Sequence, residues 1–177
     1  MKATGVVRRI DDLGRIVIPK EIRRTMRMKE GDPLEIFTET TGEIILRKYS
    51  MMDGISVIGQ RFAESLYKIS NLPCAICDSD RVMAFAGPNK KEYLDRPVTK
   101  DIEEVCLSRM SYFKQFQGEK AIYTNIGATL PAVGITPIIN VGDCAGVVAL
   151  LGESETILSE TQKKLLILTS NLLADNL

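Results

Sequence analysis

Apolar residues come in short β-branched bursts over the first fifty positions, then in helical stripes and longer apolar runs. Residues 4–10 and 15–18, rich in Val and Ile, read as two short strands. Asp11, Asp12, Leu13 and Gly14 between them carry the chemistry of a tight turn. Pro19 suits the first turn of a short helix in which Ile22 and Met26 stand i, i+4 apart for burial. Residues 29–32 interrupt the pattern, and residues 34–39 and 43–48 form a second hairpin across Thr40, Thr41 and Gly42. One helix of two to three turns leaves no room for a helix-turn-helix.

Residues 51–54 read as a linker. Helical periodicity follows at once, with Ile55, Ile58, Phe62, Leu66 and Ile69 spaced 3, 4, 4 and 3 apart. Residues 72–78 and 81–86 then predict a strand pair across Ser79 and Asp80, and residues 90–94 a short helix. Thr99 is placed to cap a helix through Arg109, and residues 111–129 carry loop. The clearest strands are 132–139 and 144–151, joined through Val141 and Gly142. A last helix over 155–174 has Leu158, Leu165, Leu168 and Leu172 as its stripe. The order predicts an α+β chain: a small β-rich domain over 1–50, then over 55–177 an antiparallel sheet with its terminal helices on one face.

The first fifty residues cannot easily stand alone. They contain no cysteine and no aromatic residue before Phe37, so a single copy buries too little apolar surface and association must supply the rest. In the second domain the first and last helices carry broad stripes. Ile55, Ile58 and Phe62 on one, with Leu165, Leu168 and Leu172 on the other, are candidates for a second contact between copies, which would close the assembly as a tetramer if a different neighbour makes it and as a dimer if the same one does.

Charge sharpens the picture. Lysine plus arginine and aspartate plus glutamate are equal in number over the whole chain, at 23 each, yet residues 1–50 hold eleven basic and eight acidic groups. Between Lys2 and Lys29 lie nine basic residues and only three acids, Asp11, Asp12 and Glu21. Arginine dominates this block, and its planar fork suits phosphate and guanine. Without an aromatic among them, the basic residues lack the stacking platforms of a single-strand binder, so the pattern points to duplex DNA. Arg8, Arg9 and Arg15 flank the turn, and Lys20, Arg23, Arg24 and Arg27 follow on the helix, with Lys2 ahead of both.

Histidine is absent, which removes Ser-His triads and imidazole metal ligands. No phosphate-cradling glycine loop or paired acid cleft replaces them, so no catalytic constellation is found, and no cofactor is expected. Cys74 and Cys77 have the spacing of a metal or redox site. They lie in a strand, however, where their side chains face opposite ways, and no second such pair completes a four-thiolate site. Buried, reduced thiols are expected. No apolar run reaches the length of a membrane span and no signal-peptide core is present, so a cytoplasmic protein is expected.

Residues 4–48, with T-G-V-V-R-R-I-D-D-L-G-R-I-V-I-P-K-E-I-R-R-T, then G-D-P-L-E-I and E-I-I-L-R-K, resemble the DNA-binding domain of AbrB-type transition-state regulators. The region after them resembles a GAF domain, on the order of its elements and the run P-I-I-N-V-G-D-C-A-G-V-V-A-L at 137–150. The whole chain is thus similar to sporulation regulators of that superfamily. The resemblance implies a swapped-hairpin dimer, DNA contact through Arg8, Arg15, Arg23 and Arg24, and control of late spore-development genes. Arg9, Lys2, Lys20 and Arg27 would add phosphate neutralisation. The GAF-like region would sense a signal or serve oligomerisation, and its ligand is unknown: neither the cyclic-nucleotide signature nor bilin-attachment cysteines are recognisable. Antitoxins of the MazE type share the swapped-hairpin fold and give the alternative reading, a protein-interaction module. The patterned 127-residue remainder suits a folded domain better than a disordered toxin-binding tail.

Overall fold

The computed structural model describes residues 5–26, 28 and 30–177 and divides into two compact units, Met1–Tyr49 and Ser50–Leu177. In the first, helix α1 (Lys20–Thr25) is followed by strands β1 (Leu34–Thr38) and β2 (Ile44–Lys48), paired antiparallel from Leu34 opposite Lys48 to Thr38 opposite Ile44. Gly42, at φ 88°, turns the hairpin, and its amide donates to Glu39 O. Arg47 lies over the Phe37 ring at 4.7 Å.

The expected strands over residues 5–10 and 15–18 are not formed: only the turn between them is. The amide of Asp11 donates to Arg15 O and that of Gly14 to Asp11 O, and neither described flank is a strand. Two segments of this length gain too little from each other to hold a ladder without a third strand or a layer beneath. Pro19 caps α1 from outside instead of forming its first turn. No described residue of 5–49 is buried.

In the second unit five antiparallel strands lie in the order β4-β3-β7-β6-β5, with β3 Cys74–Cys77, β4 Val82–Ala86, β5 Tyr112–Phe113, β6 Ala132–Asn140 and β7 Asp143–Leu151. Helices α2 (Ser56–Ser70) and α4 (Glu160–Ala174) pack on each other and on one face, as the order of elements predicts, and α3 (Lys100–Ser108) covers the other. Both faces of β3, β6 and β7 are therefore buried, which is why these strands read as continuous apolar runs. Cys74 belongs to one face's core and Cys77 to the other's. Tyr93, stacked on Phe85 with ring centroids 4.2 Å apart, fills the α3 side.

Residues 51–54 are not a free linker. Met51–Ile55 is a 3-10 helix capped by Ser50, and Met52 and Ile55, three residues apart and so on one side of such a helix, enter the core. Arg81 ties it down by reaching Asp53, Asp78 and Asp95 at 3.3, 3.8 and 3.1 Å. The last helix begins at Glu160 and not at 155, because Ser159 and Gln162 form a capping box there. Among the described residues no helix is long and apolar enough to cross a membrane.

Gly146 shows how tightly β7 is seated. A Cβ there would stand 2.1 Å from the Cys77 carbonyl oxygen, backbone that cannot rotate away. Gly59 in α2 would place its Cβ at an ordinary 3.9 Å from Ala84 Cβ. Gly146→Ala is expected to cost about 2–4 kcal/mol by urea unfolding of the full chain. Gly59→Ala is expected to be neutral or to gain up to about 1 kcal/mol from helix propensity. Equal midpoints for the two variants would contradict the packing.

Candidate nucleic-acid interface

The first turn is held by its leading side chain. Asp11 Oδ1 accepts the amides of Leu13 and Arg15 at 3.0 and 2.8 Å, and Oδ2 accepts Arg15 Nε at 2.7 Å. The Arg15 amide first, and then its guanidinium, hold the Asp11 carboxyl below the usual carboxylate range. With the pKa lowered, the anchor is in place at neutral pH and through the ordinary titration of aspartate. It is lost only as pH falls through the lowered value. The bond uses Nε, so Arg15 keeps both Nη groups for a phosphate or a base edge, and its side chain remains 69% exposed. Asp11 was legible only as a turn former; an acid four residues before an arginine across a Gly14 turn is the signal that could have found its second role.

Arg8 and Arg9 precede this turn and are exposed, Arg8 donating to the Val7 carbonyl at 3.1 Å. Lys20 and Arg24 are exposed on α1. Arg23 is half-buried, and its Nε is buried with no hydrogen-bond partner. Lys2 and Arg27 lie outside the described residues. The described cations thus fall into two groups, one at the turn and one on α1.

Between these groups the chain leaves an apolar groove of about 570 Å³, lined by Val6, Val17, Ile22, Met26 and Leu46 among others, with Arg8 at its wall. Val7, Ile10, Leu13, Ile16 and Val17 are all more than half exposed. Full burial of one such side chain is worth about 1.5–3 kcal/mol, so these five leave on the order of 5–10 kcal/mol per chain unrealised.

The candidate contact residues of the second unit divide. Ile55 is buried in its own core, and Ile58, Phe62 and Leu165 pack partly against it, so Ile55 offers no surface to another copy. Leu168 and Leu172 are exposed on α4, one turn apart, because the helix turns Leu166, Thr169 and Leu173 inward instead.

Residues 54–177 match the family described as stage V sporulation protein T C-terminal, transcription factor, and residues 7–53 match antidote-toxin recognition MazE, bacterial antitoxin. Stage V sporulation protein T of Bacillus subtilis (strain 168) is 40% identical over 157 residues, which is 89% of this chain and 88% of that protein. The transition state regulatory protein AbrB of the same organism is 48% identical over 60 residues, 34% of this chain and 62% of that protein. The GAF domain from a Coxiella burnetii phosphoenolpyruvate-protein phosphotransferase superposes with a TM-score of 0.56 at 17% identity, over 68% of this chain and 80% of that one.

Proposed function

The chain belongs to the stage V sporulation protein T family of transcription factors, and from that premise we propose that it grips duplex DNA as a dimer through the arginines of its first fifty residues. It is a sporulation regulator with an AbrB-type DNA-binding region and a GAF-like domain, a regulator in place of an enzyme. Arg8, Arg15, Arg23 and Arg24 make the principal DNA contacts, and Arg9, Lys20, Lys2 and Arg27 neutralise phosphates. The observation that carries the dimer is the apolar groove beside a turn whose flanking segments form no strand in the single chain. A second copy's 5–10 and 15–18 segments have the exposed apolar residues that would fill it. The Nε of Arg23, buried without an acceptor, is the kind of group that a phosphate oxygen satisfies.

Residues 55–177, with Met51–Ile55 as part of their fold, serve regulation and association. Leu168 and Leu172 give two dimers a surface on which to close as a tetramer. The test of DNA binding is a fluorescence-anisotropy titration of the full chain against duplex and single-stranded DNA at several salt concentrations. With two copies of the arginine set per dimer, about six to eight phosphates are neutralised, giving a log–log slope of about −5 to −7 on duplex. A slope near zero, or preference for the single strand, would reject the reading.

A further inference from the structure

Three strands meet at one end of the second unit's sheet, where β5 leaves, β6 enters and β7 runs out toward α4. Lys114 stands there, immediately after β5, with its amide donating to Val133 O at 3.1 Å. The residue is only 7% exposed, and its Nζ donates to the carbonyl of Ser154, in the connection from β7 to α4. An ammonium carries three donors, and this one reaches a single neutral acceptor. Among the described residues no carboxylate lies within ion-pair distance of it. Lys48, Lys120 and Lys163, in contrast, each have an acid, at 3.3, 3.2 and 2.7 Å. A buried charge without a partner is costly, and lysine is almost never sequestered that way. Beside Lys114 lies a cavity of about 100 Å³, lined also by Glu119, Lys120, Ala121, Pro131 and Ala132. Tyr93 and Phe85, stacked under α3, do not line it.

We propose that this cavity binds a small monocarboxylate, its carboxylate on the Lys114 ammonium and its short alkyl part against Ala121, Pro131 and Ala132. Charge sets the class. Lys120 also lines the cavity but is paired with Asp101 at 3.2 Å, so of the two lining lysines Lys114 is the one left to neutralise. A single negative charge does that. Glu119 brings a negative charge of its own to the wall, with Oε2 accepting the Gln115 amide at 2.8 Å, and so raises the cost of a dianion such as hydrogen phosphate. Size narrows the class further. A volume of about 100 Å³ is the share of roughly three liquid waters, room for about four non-hydrogen atoms, which acetate fits and longer chains exceed. The apolar walls favour a methyl group over a hydrated chloride ion. The ammonium has already given up most of its hydration, so a charge-assisted hydrogen bond from it is worth more here than at the surface. Ser154, which shares that ammonium, lies at the root of the helix that presents Leu168 and Leu172.

The experiment titrates the full-length protein with sodium acetate at constant ionic strength, in a buffer free of other carboxylates, and reads binding by calorimetry. Saturable binding is expected in the millimolar range, the reach of a ligand with so few atoms. Sodium phosphate and sodium chloride are expected to bind at least about tenfold more weakly, and butyrate to be excluded by its length. Lys114→Met, which keeps the apolar stem, should weaken acetate binding by about tenfold or more. Ala121→Leu, at an exposed position of the wall, should weaken it as well by filling the cavity while the fold and Lys114 stay in place. Acetate should also raise the melting temperature of the wild type and of neither variant. No saturable binding of acetate, equal binding of chloride or phosphate, or undiminished acetate affinity in either variant would each overturn the proposal. The wild-type selectivity and the wall variant decide even if Lys114→Met folds poorly.

Discussion

Diluting a fragment of residues 1–50 is expected to lower its melting temperature steadily, and Val17→Asp to leave it unfolded at any practical concentration. Both expectations follow from where the apolar side chains lie. Val17 is 72% exposed in the single chain. Were that chain the folded unit, aspartate at so open a position would change stability by no more than about 0.5 kcal/mol. If a second copy covers the groove, the same substitution drives a carboxylate into a shared core and costs several kcal/mol. Folding and association are then one event, and melting depends on concentration. Circular dichroism melts over a hundredfold dilution, with light scattering on the intact chain, decide it. A concentration-independent monomer that tolerates Val17→Asp would remove the dimer, and a full-length mass near four chains would support closure through α4.

The second unit was the more legible in sequence, and for a physical reason. Its strands and helices bury their side chains within one chain, so periodicity at Ile58, Phe62 and Leu66 and the apolar runs of β6 and β7 reported directly on contacts the chain makes with itself. The first unit failed in the opposite sense. Val6, Val7, Ile16 and Val17 carry strand propensity, but in the single chain their side chains stay exposed and no strand forms. The turn at Asp11–Arg15 survives because its bonds are local.

Elsewhere the misreadings were matters of scale. Of the predicted stripe of Leu158, Leu165, Leu168 and Leu172, Leu158 is buried and Leu165 packs partly against the core, whereas Leu168 and Leu172 face out and α4 buries Leu166, Thr169 and Leu173. A leucine-rich helix has more than one apolar face, and hydrophobicity alone does not say which turns inward. Residues 51–54 read as a linker because four residues are too few to show a period, though Met52 and Ile55 are spaced for one turn of 3-10 helix.

Alanine at Arg8, Arg15, Arg23 or Arg24 is expected to weaken duplex binding by about a hundredfold or more while the chain stays folded. A dimer carries each arginine twice, so one substitution deletes two charge-assisted hydrogen bonds at about 1.5–3 kcal/mol each. If the contact is to phosphate, it also flattens the salt slope by about two. Lysine at the same positions separates two kinds of contact. A phosphate contact keeps its charge, so the slope holds and most affinity returns. A fork onto a guanine edge loses its second hydrogen bond, so the slope holds while discrimination between sequences falls. Arg15 is the sharpest case, because Asp11 fixes its Nε and leaves only the Nη pair to meet the DNA. Arg15→Lys loses that fixed fork and should behave more like alanine than Arg24→Lys does. Arg61→Ala, on an exposed position of α2, serves as the control and should leave affinity unchanged. Anisotropy titrations at two salt concentrations read every term, and wild-type affinity and slope in all four alanine variants would show that the DNA surface lies elsewhere on the chain.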